Sequence, residues 1–466
     1  MVRRSVCLGA FVFLYGFSAI AQQYQWEFVR FHETLGKAPV GLFWGAREGN
    51  PDSFSTAYVL CVGVDANFNG QPDAEDEPPS LTVAYEEAGG SLSSFNWTFP
   101  WGVLSFPVRP AVRREGDRFV LYLPRIDRLT RHTFPPFGQP HEDTVLLGAA
   151  QAVLVLGDTL VVSRRASSEE GLILKVLPGV GIVDSFRLGG CPNIQQLLWD
   201  SARRQLIVLC EGTFGGNNAS VHFLPNAKDS ATVIVPVGDT GNFLLLSGDT
   251  LVVVANGSHE IFLIDPTTRL WHRMPIAVGT SGYGGPREAL LLTLPNGQRT
   301  LLVSTYSREV RWIDIATGNI LQVLSLTGLA EGMAVRRLGD TLELWVAQVF
   351  TPAYAADSVL AVFRLVLPTS VAQKPLQAGQ PRVRPTILNE GPVWVEWELS
   401  GYGGQMVQAE LFSLDGRRCY AWQLPVGESG RLAVLLPLSR PMVPAGSYVL
   451  RLVAGDRTAL LPLFVY

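Results

Sequence analysis

The chain is short of charge, cysteine, histidine and long apolar runs. Charged residues make up 17% of its 466 positions and the net charge is −4. With no long basic run, this leaves no electrostatic footprint for nucleic acid. Hydrophobic residues reach 47%, too many for a disordered chain. Beyond residue 21 no segment is apolar over the roughly 20 residues that a spanning helix needs, so no transmembrane segment is expected in the mature chain. His32, His132, His141, His222, His259 and His272 are scattered, without an HExxH pair, and no GxSxG elbow or CxxC spacing occurs. A sustained helical period is missing as well. These absences remove the common zinc, nucleophile-elbow and phosphate-loop chemistries, and they point to strands.

Glycine (46) and proline (31) are plentiful, as an all-β chain with many turns requires. The first 21 residues stand apart. Arg3 and Arg4 precede an apolar stretch from Val6 to Phe17, and Ala19-Ile20-Ala21 supplies a small-x-small cleavage site before Gln22. This is the layout of a secretory signal peptide, so the chain is expected to be exported, to the extracellular space or the outer cell surface. Removal of the leader takes Cys7 and leaves Cys61, Cys191, Cys210 and Cys419. Cys191 and Cys210 flank an expected hairpin centred on 201–204; a bridge across it and two buried thiols are both open readings.

A repeat decides the fold. Gly-Asp-Thr-Leu begins at Gly157, Gly248 and Gly339, two equal steps of 91 residues. Seven strands of one character follow tight polar turns: 57–62, 118–123, 160–163, 205–210, 251–255, 301–305 and 342–347. Units of about 45 residues with several short strands each read as a β-propeller of four-stranded blades, here seven, with six or eight as alternatives. The last unit lacks a fourth strand, and 25–31 (QWEFVRF) alternates like a strand without a blade of its own. Placed at the outside of the last blade, it closes the ring and covers an edge. Asp127, Asp265 and Asp314 recur after strands because the turns need them.

In 251–278 and 301–326 a strand, a polar turn, Ile-Asp-x-x-Thr and a closing strand stand in order. These units resemble the YVTN-type propeller repeat of surface-layer-like and streptogramin-lyase-like proteins. The resemblance implies a fold rather than an activity, and the paired His/Glu arrangement of lyase catalysis has no counterpart that the sequence reveals. On this reading the propeller spans 22–372 and a Pro/Gln-rich linker occupies 373–384. From 385 to 466 the period gives way to alternating short strands at 392–399, 406–413, 418–424, 431–437 and 447–453, the pattern of an Ig-like β-sandwich. The segments 411–418 (LFSLDGRR) and 444–452 (PAGSYVLRL) make it similar to the C-terminal sorting domain of the type IX secretion system. That resemblance implies recognition by the secretion machinery, and often removal of the domain afterwards. The family's Tyr-Pro-Asn-Pro-like opening is replaced by Val383-Arg384-Pro385-Thr386-Ile387.

One insertion carries recognisable chemistry. Asp65, Asn67 and Asn69 occupy positions 1, 3 and 5 of a twelve-residue stretch, followed by Gly70, Gln71, Asp73 and Asp76 at 6, 7, 9 and 12. Calcium takes six to eight oxygens from a loop that folds back on itself: side chains at 1, 3, 5, 9 and 12 and the carbonyl at 7. The expectation is a structural Ca²⁺ stapling the insertion 65–76. In a four-stranded blade this loop shares a face with the connections between blades, taken as 134–141, 188–192, 279–287 and 327–332. Polar residues there, His141, Tyr283, Arg287 and Glu331, are the candidate ligand-binding set. The sequence thus reads as a non-enzymatic binding module for protein or glycan, with no catalytic residues assigned. The competing readings are a propeller lyase or hydrolase acting at the funnel face, and a purely structural surface component.

Overall fold

The computed structural model describes residues 24–45, 56–86, 92–106, 108–115, 118–134, 140–228, 233–279, 284–367, 382–384, 387–388, 393–399, 403–413, 417–427, 431–436, 446–455 and 457–465. The leader 1–21, Tyr283 and all of the linker 373–384 except 382–384 lie outside the described residues. Two compact units divide the chain, Met1–Pro368 and Thr369–Tyr466. Among the described residues there is no helix long and apolar enough to cross a membrane.

The first unit is a series of antiparallel meanders. After β1 (Trp26–Glu33) come β2 (Pro39–Gly45), β3 (Thr56–Cys61), β4 (Ser80–Glu86) and β5 (Leu92–Thr98), which form sheet one. Sheet two is β6 (Ala111–Glu115), β7 (Arg118–Pro124), β8 (Arg128–Phe134) and β9 (His141–Leu147). Sheet three is β10 (Val153–Leu156), β11 (Thr159–Arg165), β12 (Glu170–Leu177) and β13 (Gly181–Gly189); sheet four is β14 (Ile194–Asp200), β15 (Gln205–Cys210), β16 (Ser220–Pro225) and β17 (Val233–Pro236). Sheet five has β18 (Gly241–Ser247), β19 (Thr250–Ala255), β20 (Glu260–Ile264) and the two-residue β21 (Ile276–Ala277). Sheet six has β22 (Pro286–Thr293), β23 (Arg299–Thr305), β24 (Glu309–Asp314) and β25 (Ile320–Ser325). Sheet seven joins β26 (Leu329–Leu338), β27 (Thr341–Phe350) and β28 (Ala356–Val366) to β1.

The seven segments that stand out in the sequence are the second strands β3, β7, β11, β15, β19, β23 and β27. They stand out because both of their faces are covered: β15 and β19 are buried at every position, so they read as unbroken apolar runs rather than alternating ones. Outer strands such as β17 and β25 keep exposed positions.

Neighbouring sheets share an apolar seam. Leu209, Val221 and Phe223 of sheet four pack with Leu244, Val253 and Phe262 of sheet five, and comparable clusters join each sheet to the next. The last seam sets Trp345, Leu360 and Val362 of sheet seven against Ala57 and Val59 of sheet one. The series therefore returns on itself, which is the closure of a β-propeller. Where sheets seven and one meet, a Cβ on Gly332 would strike the Val40 carbonyl, so the close approach requires glycine. Closure also has a strand-level device. Trp26 of β1 pairs with Leu365 of β28 and Phe28 with Phe363, with a register shift between Phe28 and Arg30. The Trp26 backbone exchanges two 2.8 Å hydrogen bonds with the Gln322 side chain of β25.

The second unit has two sheets. One is three-stranded, built from β29 (Arg382–Arg384), β31 (Val393–Glu398) and β34 (Arg431–Leu436). The other, in the order β30-β36-β35-β32-β33, contains β30 (Ile387–Leu388), β36 (Arg457–Val465), β35 (Gly446–Ala454), β32 (Met406–Ser413) and β33 (Arg418–Pro425). Val395, Trp397 and Leu432 of the first sheet share one core with Leu411, Leu450 and Leu463 of the second.

Candidate functional site

Strand direction alternates in a meander, so the connections entering each innermost strand emerge on the same face as the loop after each second strand. Residues 99–110, 148–152, 190–193, 237–240, 278–285 and 326–328 reach β6, β10, β14, β18, β22 and β26 in this way. The acidic loop 65–76 joins β3 to β4 and opens on that face too. Contact bears this out, since the Trp101 indole N–H donates to the Gly70 carbonyl at 3.4 Å.

At this mouth side chains clip the start of an inner strand to the preceding sheet. Ser163 Oγ donates to the Ile194 carbonyl at 3.4 Å, Asn242 Nδ2 to the Arg287 carbonyl at 2.6 Å, and Ser304 Oγ to the Glu331 carbonyl at 2.7 Å. Among these clips lies a buried charged cluster. Arg287 faces Glu331 in a two-pronged pair, Nε to Oε2 at 2.8 Å and Nη2 to Oε1 at 3.0 Å. Tyr306 donates its hydroxyl to Glu331 Oε2 at 2.6 Å, and its ring lies 4.5 Å from the guanidinium carbon. Burial works against the charge on Arg287, but Glu331 and Tyr306 outweigh it and hold the guanidinium pKa above its ordinary value. Burial, reinforced by Glu331, pushes the Tyr306 phenol well up.

A second guanidinium enters the cluster from across the ring. Arg109, in the connection 99–110, reaches Glu288 Oε1 with Nη1 at 2.8 Å and the Asn242 carbonyl with Nη2 at 3.1 Å. Burial raises the Glu288 carboxyl to about 7; Arg109 pulls it down and Glu331 pushes it up. Sequence reasoning missed Arg109, Asn242, Glu288 and Tyr306. The available signal was the flanking of Val108-Arg109 by Pro107 and Pro110, which marks an extended segment carrying a lone cation.

The sequence-derived set is only partly brought together. Arg287 and Glu331 meet, as partners of each other within a buried pair and not as free groups on a rim. His141 needs correction. β8 ends at Phe134 and β9 begins at His141, and these are the third and fourth strands of sheet two, so those strand ends lie on the opposite face. His141 is exposed there and lies 3.0 Å from Asp143 Oδ1. That opposite face also holds a cleft of about 760 Å³ lined by Arg113, Tyr122, Arg131, Asp143, Asp158 and Val180. Its arginines are paired, Arg113 with Asp158 at 3.2 Å and Arg131 with Asp143 at 3.6 Å. Tyr283 is outside the described residues.

The loop 65–76 folds back on itself. Asp65 accepts from the backbone N–H groups of Asn69 (3.2 Å) and Gly70 (2.8 Å), and Asn69 Oδ1 from that of Gln71 (2.6 Å). Asp76 accepts from the N–H groups of Ala66 (2.8 Å) and Asp73 (2.9 Å), while Asn67 Nδ2 donates to Asp73 Oδ2. Gly70 has φ +72°, the left-handed turn that lets the chain reverse. The base is tied by paired hydrogen bonds between Val64 and Glu77, at 2.8 and 2.9 Å. This all-oxygen donor set suits a hard cation such as Ca²⁺. The oxygens of Asp65, Asp73 and Asp76 do not all lie within 4.8 Å of one another, so an ion at about 2.4 Å from each would tighten the loop. It would also replace the Asn67–Asp73 hydrogen bond, with Asn67 presenting its oxygen instead.

Cys191 and Cys210 are joined in a disulfide, with Cα atoms 5.2 Å apart. His222, 1% exposed, lies beside them, but bridged sulfurs have no thiolate to offer a metal. Burial lowers the His222 pKa to about 4. His132, buried in sheet two, is lowered to about 3 by burial and by Arg125. Cys61 is buried and its thiol is pushed up to about 12, which leaves it unreactive.

No protein-family model and no curated protein sequence matches the chain. Among solved structures it is similar to the WD40 β-propeller domain of Doa1, at 11% identity over 72% of this chain and 96% of that one, with a TM-score of 0.48. It is also similar to BBS1N in complex with ARL6DN, in a crystal soaked with lead, at 12% identity over 74% and 97% of the two chains and a TM-score of 0.48. The mercury-soaked crystal of the same complex gives 0.49 at 12% identity over the same shares. The class of this chain is fixed by its own sheets: the first unit is a β-propeller.

Proposed function

We propose that the chain is an exported binding module for a protein or glycan ligand. It is built as a seven-bladed propeller, stapled in its first blade by Ca²⁺, and followed by an Ig-like sandwich that serves as a type IX sorting domain. The observation that carries the binding reading is the ring of apolar seams running from sheet one to sheet seven and back to sheet one. Such a ring gives a rigid platform whose connections between sheets present on one face, the arrangement propellers use to hold ligands. Among the acids at the mouth, Glu331 is paired with Arg287 and accepts from Tyr306, which favours a positioning role for it over general acid–base work. The donor set of 65–76 supports the calcium staple, and the leader 1–21 with the 411–418 and 444–452 motifs supports export and sorting.

A glycan and peptide array probed with the full chain in calcium-containing buffer tests the binding reading. Saturable binding that is lost when the mouth face is altered supports it. An array with no ligand, together with turnover of a glycosidic or lactone substrate, would replace it with the enzyme reading. Mass analysis of protein recovered from culture medium tests the sorting reading, which requires loss of residues 1–21 and of the tail beyond about residue 384.

A further inference from the structure

Three side chains that the binding reading does not use meet in the seam between sheets three and four. Cys191 lies in the connection to β14, Cys210 ends β15, and His222 is on β16. Cys210 pairs with Ser220 and Val208 with His222, which puts Cys210 and His222 on one face of the sheet. The two sulfurs and an imidazole nitrogen all lie within 4.8 Å of one another. Tetrahedral zinc, with bonds of about 2.0–2.3 Å, holds its ligand atoms about 3.5–3.8 Å apart. The three side chains therefore converge closely enough to share one ion.

A second, independent observation concerns His222. Its Nε2 lies 3.0 Å from Ser220 Oγ, but Nδ1 is buried without a hydrogen-bond partner. With Nε2 holding the proton and donating to Ser220, Nδ1 is left as a bare lone pair in a dry seam. One ring nitrogen fixed by a hydrogen bond and the other bare is the state in which histidine ligates metals. Cys191 and Cys210 are as deeply buried.

We propose that Cys191, Cys210 and His222 form a zinc site in the reduced chain, and that the ion and the disulfide are alternative ties between the connection 190–193, β15 and β16. Charge selects Zn²⁺ among thiophilic ions. Two thiolates cancel its double charge, whereas Cu⁺ would leave a net negative charge buried in the seam. Cysteine enters the chain as a thiol, so this route needs no reductant: Zn²⁺ takes both sulfurs as thiolates and two protons leave to solvent. A disulfide oxidant takes the other route. Its S–S bond is reduced to two thiols, with uptake of two protons, as the Cys191–Cys210 bond forms and the ion is released. Both sulfurs are buried, so the choice between ion and bridge is made while the chain folds. The inference does not rest on the binding-module reading.

The test compares two forms of the full chain that differ only in the Cys191–Cys210 bond, so the loop 65–76 and the other cysteines are common to both. One form is reduced in urea by a dithiol, which is then removed, and refolded without air in calcium and Zn²⁺. It should keep one more equivalent of zinc through desalting than the bridged form, and added Zn²⁺ should raise its melting midpoint. Co²⁺ in place of zinc should give thiolate-to-metal charge-transfer absorption in the reduced form alone. His222→Asn should weaken zinc binding by about tenfold or more, and Cys191→Ser with Cys210→Ser should remove it. A reduced chain that refolds without holding the extra zinc overturns the site, as does a His222→Asn chain that binds zinc as tightly as the parent. If the reduced chain refolds neither with zinc nor without it, the ion does not replace the bridge and the proposal falls.

Discussion

The Trp101 indole donates to the Gly70 carbonyl at 3.4 Å, which places a fluorophore against the bend of the acidic loop. Gly70 sits between Asn69 and Gln71, so any tightening of the loop around an ion moves the hydrogen bond that Trp101 makes. Calcium titration is expected to change the Trp101 emission and raise the melting midpoint together. Asp65→Ala with Asp73→Ala removes two carboxylates and should abolish both changes, whereas Trp101→Phe should abolish only the first. A parent protein whose midpoint ignores calcium would end the claim of a staple.

The repeat was readable because inner strands buried on both faces leave unbroken apolar runs, and β15 and β19 are the clearest cases. The reversal of the loop 65–76 was readable for a related reason: the Asp, Asn and Gly residues that turn it are local, all inside twelve residues. Arg109 and Glu288 were not readable. Their pairing crosses the ring, and no local spacing records which of several arginines will meet which of several glutamates. His141 was misplaced because a Gly/Pro-rich stretch inside a sheet looks like one between sheets. Only strand count distinguishes them, and β6 is a five-residue strand with little apolar character.

Glu331 accepts from Arg287 and Tyr306 at once, and its side chain is 1% exposed. Glu331→Gln would leave the Arg287 charge buried against a neutral amide. Stranding one member of a buried pair costs about 3–5 kcal/mol, so the urea midpoint should fall sharply. Tyr306→Phe removes a single hydrogen bond to a charged acceptor and should cost about 1.5–3 kcal/mol. Equal losses from the two substitutions would contradict the geometry.

Stability between about pH 4.5 and 6.5 is set by opposed groups. Folded Glu288 keeps its proton to about 7, against an ordinary 4.5; its contribution is complete below 4.5 and is lost as pH rises to 7. Folded His222 and His132 hold off protonation to about 4 and about 3, against 6.5; their contributions are complete above 6.5 and are lost as pH falls. Burial raises Glu211 and lowers His32 in the same way, so three histidines oppose two glutamates and stability should climb with pH across this window and level off above about 7. Glu288→Gln should steepen the climb by about 1.4 kcal/mol per pH unit, and His222→Asn should flatten it by a similar amount. Urea unfolding at a series of pH values reads both slopes. A slope that neither substitution alters would show that these groups titrate alike in the folded and unfolded chains.

Ring closure makes the sharpest demand on a single strand. β1 contributes the outer edge of sheet seven, and Trp26, 2% exposed, packs its ring edge-on to Trp312 of sheet six with centroids 6.4 Å apart. Deleting residues 24–33 would bare the β28 edge and open the seam beneath Trp26, so one strand supports two sheets. Trp26→Ala keeps the backbone ladder to β28 and removes only the packing, a loss of about 3–5 kcal/mol. The deletion is therefore expected to do more than lower the midpoint. It should drive the chain into edge-paired aggregates, visible by light scattering at temperatures where the Trp26→Ala protein shows none. If the deleted chain does not aggregate and melts no lower than Trp26→Ala, the strand is an ornament on an already closed ring, and the closure must be assigned to the apolar seam between Trp345 and Val59 alone.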